Sequence, residues 1–280
     1  MPVGNRTKIL LAILIAFSYI GFLFLYASGV TRASIDGYAA EYPNEIALSK
    51  QYVAALQKRD TTTLKSRLDP RLLNDKLDSD LEKMSGLFPV EDPVGVTLVG
   101  LRWTTSGEGK SKSAVSTFLQ YQFADRWILA STNFSGDPSN RIVSAFHVER
   151  SPQSLEATNA FTAAGKSLSA NLFLMYSIID AGLIIAAAIL CVAVSSLNWK
   201  WKCLWMVFIL AGFEVVSLNW TDGTFSMARA LSFEIPGVGF YRVSQYSPVI
   251  VFATIPLGAI VFLIRYGRAG VTDAKSLFAR

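Results

Sequence analysis

The sequence predicts a membrane protein: a four-helix transmembrane bundle with an inserted external α+β domain, helices followed by a four-stranded antiparallel sheet. Three observations predict it. Only 17% of the 280 residues are charged and 51% are hydrophobic, with mean hydropathy +0.36, whereas a soluble domain is about 25% charged. Four long apolar stretches interrupt the chain. Between the first two lies a polar segment whose hydrophobic period changes from helical to alternating.

Ile9 to Ala27 is an uncharged run of nineteen residues. It exceeds the roughly 7 to 15 residues of a cleaved signal core, so residues 1–30 read as a short cytoplasmic N-terminus and an uncleaved signal anchor. Residues 31–166 form the expected external domain. Pro43-Asn44-Glu45 opens a helix with Ile46, Val53 and Leu56 on one side. Asp69-Pro70 opens a second, whose stripe is Leu73, Leu77, Leu81, Met84 and Phe88. Pro89 and Pro93 end it.

Alternation then predicts strands over Val94 to Thr104, Lys112 to Phe123, Arg126 to Phe134 and Arg141 to Glu149. Gly107-Glu108-Gly109 is the expected first turn. In the second strand Val115, Thr117, Leu119 and Tyr121 share a face. In the fourth, Arg141, Val143, Ala145, His147 and Glu149 share one face, opposite Ile142, Phe146 and Val148.

Residues 167–280 form the expected three-helix transmembrane domain. Its spans are Leu172 to Val194, Cys203 to Leu218 and Val249 to Ile264, the last kinked at Pro256. The last two are short of the roughly 17 to 25 residues a bilayer needs, but Trp201, Trp220, Tyr246 and Tyr266 suit the flanking interface. Arg6 and Lys8, then Lys200 and Lys202, then Arg265, Arg268, Lys275 and Arg280 fall on one side of an even number of spans. The positive-inside rule makes that side cytoplasmic. The expected setting is a bacterial inner membrane, both termini cytoplasmic and residues 31–166 outside. Loop 219–247 is also outside and too apolar to lie free in solvent.

The net charge of +5 does not point to nucleic acid. Residues 31 to 166 carry sixteen basic and sixteen acidic side chains, and the excess sits beside the apolar runs. Two cysteines, Cys191 and Cys203, exclude a disulfide scaffold. No phosphate loop, Gly-x-Ser-x-Gly, Cys-x-x-Cys or His-Glu-x-x-His motif is present. No cofactor or metal is expected.

The element order from Asn44 to Arg150, with Tyr52-Val53-Ala54-Ala55-Leu56 and Asp69-Pro70-Arg71-Leu72-Leu73, resembles the cystatin-like cone of nuclear-transport-factor-like domains. That resemblance implies a helix packed across a sheet. Ser217-Leu218-Asn219-Trp220-Thr221 and Pro256-Leu257-Gly258-Ala259-Ile260 are similar to uncharacterised bacterial four-span inner-membrane proteins. This likeness implies a setting and no activity.

Asp180 and Glu214 are acids within apolar runs, a costly placement that marks either a cation, proton or headgroup site or a structural contact. Their available partners are Ser177, Ser217, Asn219, Arg229 and Arg242. His147, the one histidine, shares a strand face with Glu149 but has no nucleophile beside it. The reading that follows is a non-enzymatic membrane accessory or scaffold subunit whose external domain binds a partner protein or small ligand. The alternative is a small transporter or channel subunit using Asp180 and Glu214. The expected partners are the lipid bilayer and a membrane protein or second copy of the chain, without nucleic acid.

Overall fold

The computed structural model describes residues 39–105, 113–137, 139–232 and 237–278. They fall into two compact units: 39–159 with 244–247, and 160–243 with 248–278.

The first unit opens with helix α1 (Pro43–Gln57), which has proline in its first turn and Glu45 beside the positive N-terminal end. Its buried face carries Glu45, Ser49, Tyr52, Val53 and Leu56. The helix ends in a left-handed cap at Arg59 (φ 57°), with the Asp60 amide donating to Ala55 O at 2.9 Å. Asp60 then caps α2 (Thr61–Arg67), accepting from the Thr63 amide at 3.1 Å and hydroxyl at 2.6 Å. The single helix expected from Asp69 to Phe88 is two pieces, a 3-10 turn (Pro70–Leu72) and α3 (Leu77–Ser85). Asn74 divides them, its side-chain oxygen taking the Lys76 amide at 2.9 Å. Leu81 and Phe88 are buried, while Leu73 is exposed.

Strands β1 (Gly95–Thr105), β2 (Ser113–Gln122), β3 (Trp127–Ser135) and β4 (Ile142–Ser151) form an antiparallel sheet in sequence order. The expected turn at Gly107-Glu108-Gly109 lies outside the described residues. Val115, Thr117, Leu119 and Tyr121 are buried, and Leu119 and Tyr121 share a core with the inner face of α1. The alternation read along β4 needs one correction. The β3–β4 register shifts between Asn133 and Phe134, so Ser144 is an extra residue. A bulge reverses the face on either side of it. Val143 and Val148 therefore both point inward, while Ala145, His147 and Glu149 are exposed. A short helix, α4 (Leu155–Thr158), follows, the Leu155 amide donating to Gln120 Oε1 at 2.7 Å.

The core of this unit encloses an ion pair. Arg141 Nε donates to Glu45 Oε1 at 3.0 Å, and the side chains are 2% and 7% exposed. Arg141 also donates to the carbonyl of Gly136. Beside this pair the Ser49 and Thr132 hydroxyls are 2.9 Å apart. These contacts account for the polar residues on the buried face of α1.

The second unit is not a helix bundle. It contains α5 (Leu168–Ala193), α6 (Trp199–Leu210), β5 (Gly212–Asn219), β6 (Phe225–Ser232), β7 (Val238–Tyr241), β8 (Ile250–Ile255) and α7 (Leu257–Phe278). The strands form a second antiparallel sheet in the order β6-β5-β8-β7. The expected span over 203–218 joined most of α6 to β5, and the one over 249–264 joined β8 to the start of α7. Short Val-, Ile- and Phe-rich runs are equally apolar as strand or helix, so hydropathy does not separate them. The breaks are Gly212 and Pro256, and Pro256 ends a strand rather than kinking a helix. Loop 219–247 contains two strands, β6 and β7, that join the second sheet.

Among the described residues only α5 is long and apolar enough to cross a membrane, by length and composition, with mean hydropathy 2.2. The stretch Ile9 to Ala27 lies outside the described residues. The four-span bundle is thus overturned, and the multi-pass inner-membrane setting falls with it, because its orientation rested on an even number of spans. In this fold α5 is the central helix of its unit, packed by α6, α7, β7 and β8.

Candidate functional site

The buried residues of α5 are Ala170, Phe173, Ser177, Asp180, Ile184, Ala187 and Cys191, spaced alternately three and four apart, and the terminal Ala193. This is the seam of a packed helix, and Asp180 occupies its middle. The Asp180 side chain is fully buried. Strand β8 brings Thr254, also fully buried, to the same place. The Tyr176 hydroxyl donates to Thr254 O at 2.7 Å, and the Thr254 amide donates to Gly237 O at 2.9 Å.

Two glycines allow this approach. A Cβ on Gly237, which has φ 83°, would lie 2.4 Å from Ile184 Cδ1, 3.0 Å from Thr254 Oγ1 and 3.6 Å from Asp180 Oδ2. A Cβ on Gly212 would lie 2.6 Å from Thr254 Oγ1. The strands and α5 therefore close directly over the acid.

Both Asp180 carboxylate oxygens and Thr254 Oγ1 lack a hydrogen-bond partner among the described residues. Burial pushes the Asp180 carboxyl up to about 7. The Thr254 amide, which donates to Gly237 O, opposes this shift without overcoming it. Burial, and then the charge of Asp180, raises the Tyr176 phenol.

Of the partners expected for Asp180, Ser177, Ser217, Asn219 and Arg242 are engaged elsewhere or make no hydrogen bond to it. Ser177 Oγ donates to Phe173 O at 2.9 Å. Asn219 sits in the β5–β6 turn, donating to Asp222 Oδ2 at 2.9 Å and accepting the Thr221 amide at 3.0 Å. Neither Ser217 nor Arg242 hydrogen-bonds to Asp180. The Arg229 side chain lies outside the described atoms. Glu214 is the bulged residue of β5, at φ 52° between Phe213 and Val215. Val215 pairs with Thr254, so the bulge adjoins the Asp180 region, yet Glu214 is not among the groups acting on the Asp180 carboxyl.

His147 and Glu149 lie together on the exposed face of β4, Nε2 and Oε2 being 3.8 Å apart with both side chains more than half exposed. The first unit holds a different recess, which the sequence reading missed. Leu56, Leu64 and Leu81 floor a half-open groove of about 290 Å³ between the end of α1, α2 and α3. Arg59, Lys65, Asp78 and Glu82 rim it, with Lys65 Nζ 2.6 Å from Asp78 Oδ1. The signal available in the sequence was the Arg59-Asp60 pair, a helix stop followed at once by a helix cap. The Tyr52 and Tyr121 hydroxyls of this unit are also buried without a partner among the described residues, and burial raises both phenols.

Among the described residues no three His, Cys, Asp or Glu side chains cluster as a metal site. Cys191 is buried, Cys203 is exposed, and both are free thiols. Comparison with protein-family models, curated proteins and solved structures finds no match to this chain.

Proposed function

We propose that the chain is a non-enzymatic accessory subunit that docks on a partner protein and uses its first unit to take a small ligand or peptide segment. One observation carries this reading. Leu168, Leu172, Met175 and Ile179 form a stripe on the outward face of α5, and each is at least 49% exposed. Four apolar side chains at spacings of four, three and four are the pattern by which a helix is recognised in a partner's groove. Burying them would remove apolar area worth about 25 cal/mol per Å² from water.

The groove beside α1 supports the second part of the proposal. An apolar floor under a rim of both charges suits a ligand with an apolar body and polar ends. Arg59 and Glu82 make no ion pair among the described residues and are available to such a ligand. The test is isolation of the full chain, tagged after Arg280 and made at native level, with the mass of the intact particle measured. A stoichiometric partner is expected, lost when Leu172, Met175 and Ile179 are replaced together by serine. A chain that stays alone and turns over a substrate would overturn the reading.

A further inference from the structure

The groove of the first unit has two polar walls. The junction of α1 with α2 and α2 itself supply Arg59, Thr61 and Lys65, and α3 supplies Asp78, Glu82 and Ser85. Leu56 and Leu64 lie fully buried beneath them, with Leu81 3% exposed. One ion pair ties the walls together, Lys65 Nζ lying 2.6 Å from Asp78 Oδ1. Residues four apart on a helix share a face and stand one turn, about 5.4 Å, apart. Thr61 is therefore one turn from this bridge along α2, and Glu82 one turn from it along α3.

The bridge neutralises Lys65 and Asp78. Arg59 and Glu82 remain, one cation and one anion lining the same recess, and neither makes an ion pair among the described residues. Arg59 is held firmly in place. Its amide donates to Leu56 O at 3.1 Å, and its carbonyl accepts the Thr61 amide at 3.0 Å. Its φ of 57° is a conformation that glycine adopts freely and arginine adopts under strain. Such strain is characteristic of ligand-binding positions.

We infer that the groove binds a small apolar zwitterion, an aliphatic amino acid or dipeptide with its carboxylate on the Arg59 guanidinium and its ammonium on the Glu82 carboxylate. The guanidinium presents two parallel N–H donors to a carboxylate, and the Thr61 hydroxyl is a further donor on that wall. The leucine floor takes the aliphatic side chains. A ligand with a carboxylate alone leaves Glu82 unmatched, and one with an ammonium alone leaves Arg59 unmatched. The volume of about 290 Å³ is at the small end of ligand pockets, which suits a body of one or two residues. This inference rests on the groove being the ligand site of the proposed function and adds the class of ligand it takes.

The experiment is a ¹H–¹⁵N shift titration of the full chain, read at the amides of Arg59, Leu64 and Glu82. The probes are leucine, Leu-Leu, acetyl-Leu-Leu, Leu-Leu amide and the doubly capped acetyl-Leu-Leu amide. Leucine or Leu-Leu binds saturably, and the tighter of the two sets the length of the ligand. Capping either end of Leu-Leu weakens binding about tenfold, because each cap removes one charge-assisted contact. Arg59→Gly, which relaxes the backbone, weakens Leu-Leu about tenfold and leaves Leu-Leu amide unchanged. Glu82→Gln, at an exposed position, weakens Leu-Leu about tenfold and leaves acetyl-Leu-Leu unchanged. A doubly capped peptide that binds as tightly as Leu-Leu overturns the inference while keeping the groove as a ligand site. Variants that weaken capped and free peptides equally overturn it too, since the two charges would then act on the fold and not on the ligand. No saturable shift from any of the five probes also overturns it, and the subunit reading is then judged by its own test, the stoichiometric partner.

Discussion

Replacing Arg141 by methionine removes one half of the most buried ion pair described in the molecule. Arg141 and Glu45 are 2% and 7% exposed and join β4 to α1 through a 3.0 Å bond. Arg141→Met leaves the Glu45 carboxylate in the core without its donor and frees the Gly136 carbonyl as well. Breaking a buried pair from one side costs about 3 to 5 kcal/mol, because the stranded charge retains its desolvation penalty. Replacing both partners, Glu45→Leu with Arg141→Met, removes that penalty and should recover most of the loss, since an apolar pair of similar volume is often neutral or better. The assay is urea unfolding of the full chain near neutral pH, followed by far-UV circular dichroism and by tryptophan fluorescence. A single variant that loses less than about 1 kcal/mol would refute the reasoning, as would a double variant no better than the single, because uncompensated burial of Glu45 would then not be the cause.

Other substitutions test the packing and the groove. Gly258→Ala places a β-carbon 1.8 Å from Phe208 O, so α6 and α7 must move apart, costing at least about 2 kcal/mol by thermal unfolding. Gly182→Ala on α5 meets nothing within 4 Å and should instead raise stability by about 1 kcal/mol in the same assay. Arg59→Gly relieves a left-handed non-glycine residue and should add about 1 kcal/mol to chemical stability while weakening capture of any ligand in the groove. The Asp69 carboxyl is held at about 2, first by side-chain hydrogen bonds from Arg71 and then by the Arg71 amide. A lowered carboxyl lends stability present above its unfolded value and lost as pH falls through the folded one, so acid unfolding between pH 4 and pH 2 should be less steep in Asp69→Asn.

Much of the first unit was legible because its signals are local. The four strands lie within a few residues of the alternating runs, and Pro43 with Glu45 marks the start of α1. The strand faces were less legible. The bulge at Ser144 reverses the alternation, and that follows from pairing with β3 rather than from anything in β4 itself. The divided helix at 69–88 is similar, because an apolar stripe does not reveal that Asn74 will turn the chain between Leu73 and Leu77.

In the second unit the sequence by itself determined composition: apolar runs, an acid among them at Asp180 and punctuation at Gly212 and Pro256. It did not determine what each run becomes. Strand β5 forms because β6 and β8 supply its hydrogen-bond partners, and β8 is distant in sequence. Hydropathy measures transfer from water and is blind to whether backbone amides are satisfied within a helix or across a sheet. The Asp180 site has the same origin. The acid is visible in the sequence, but Thr254 and Gly237 reach it only when β8 and the approach to β7 fold against α5. Pairing between distant segments carries no local periodic signal, and so the tertiary structure alone decided it.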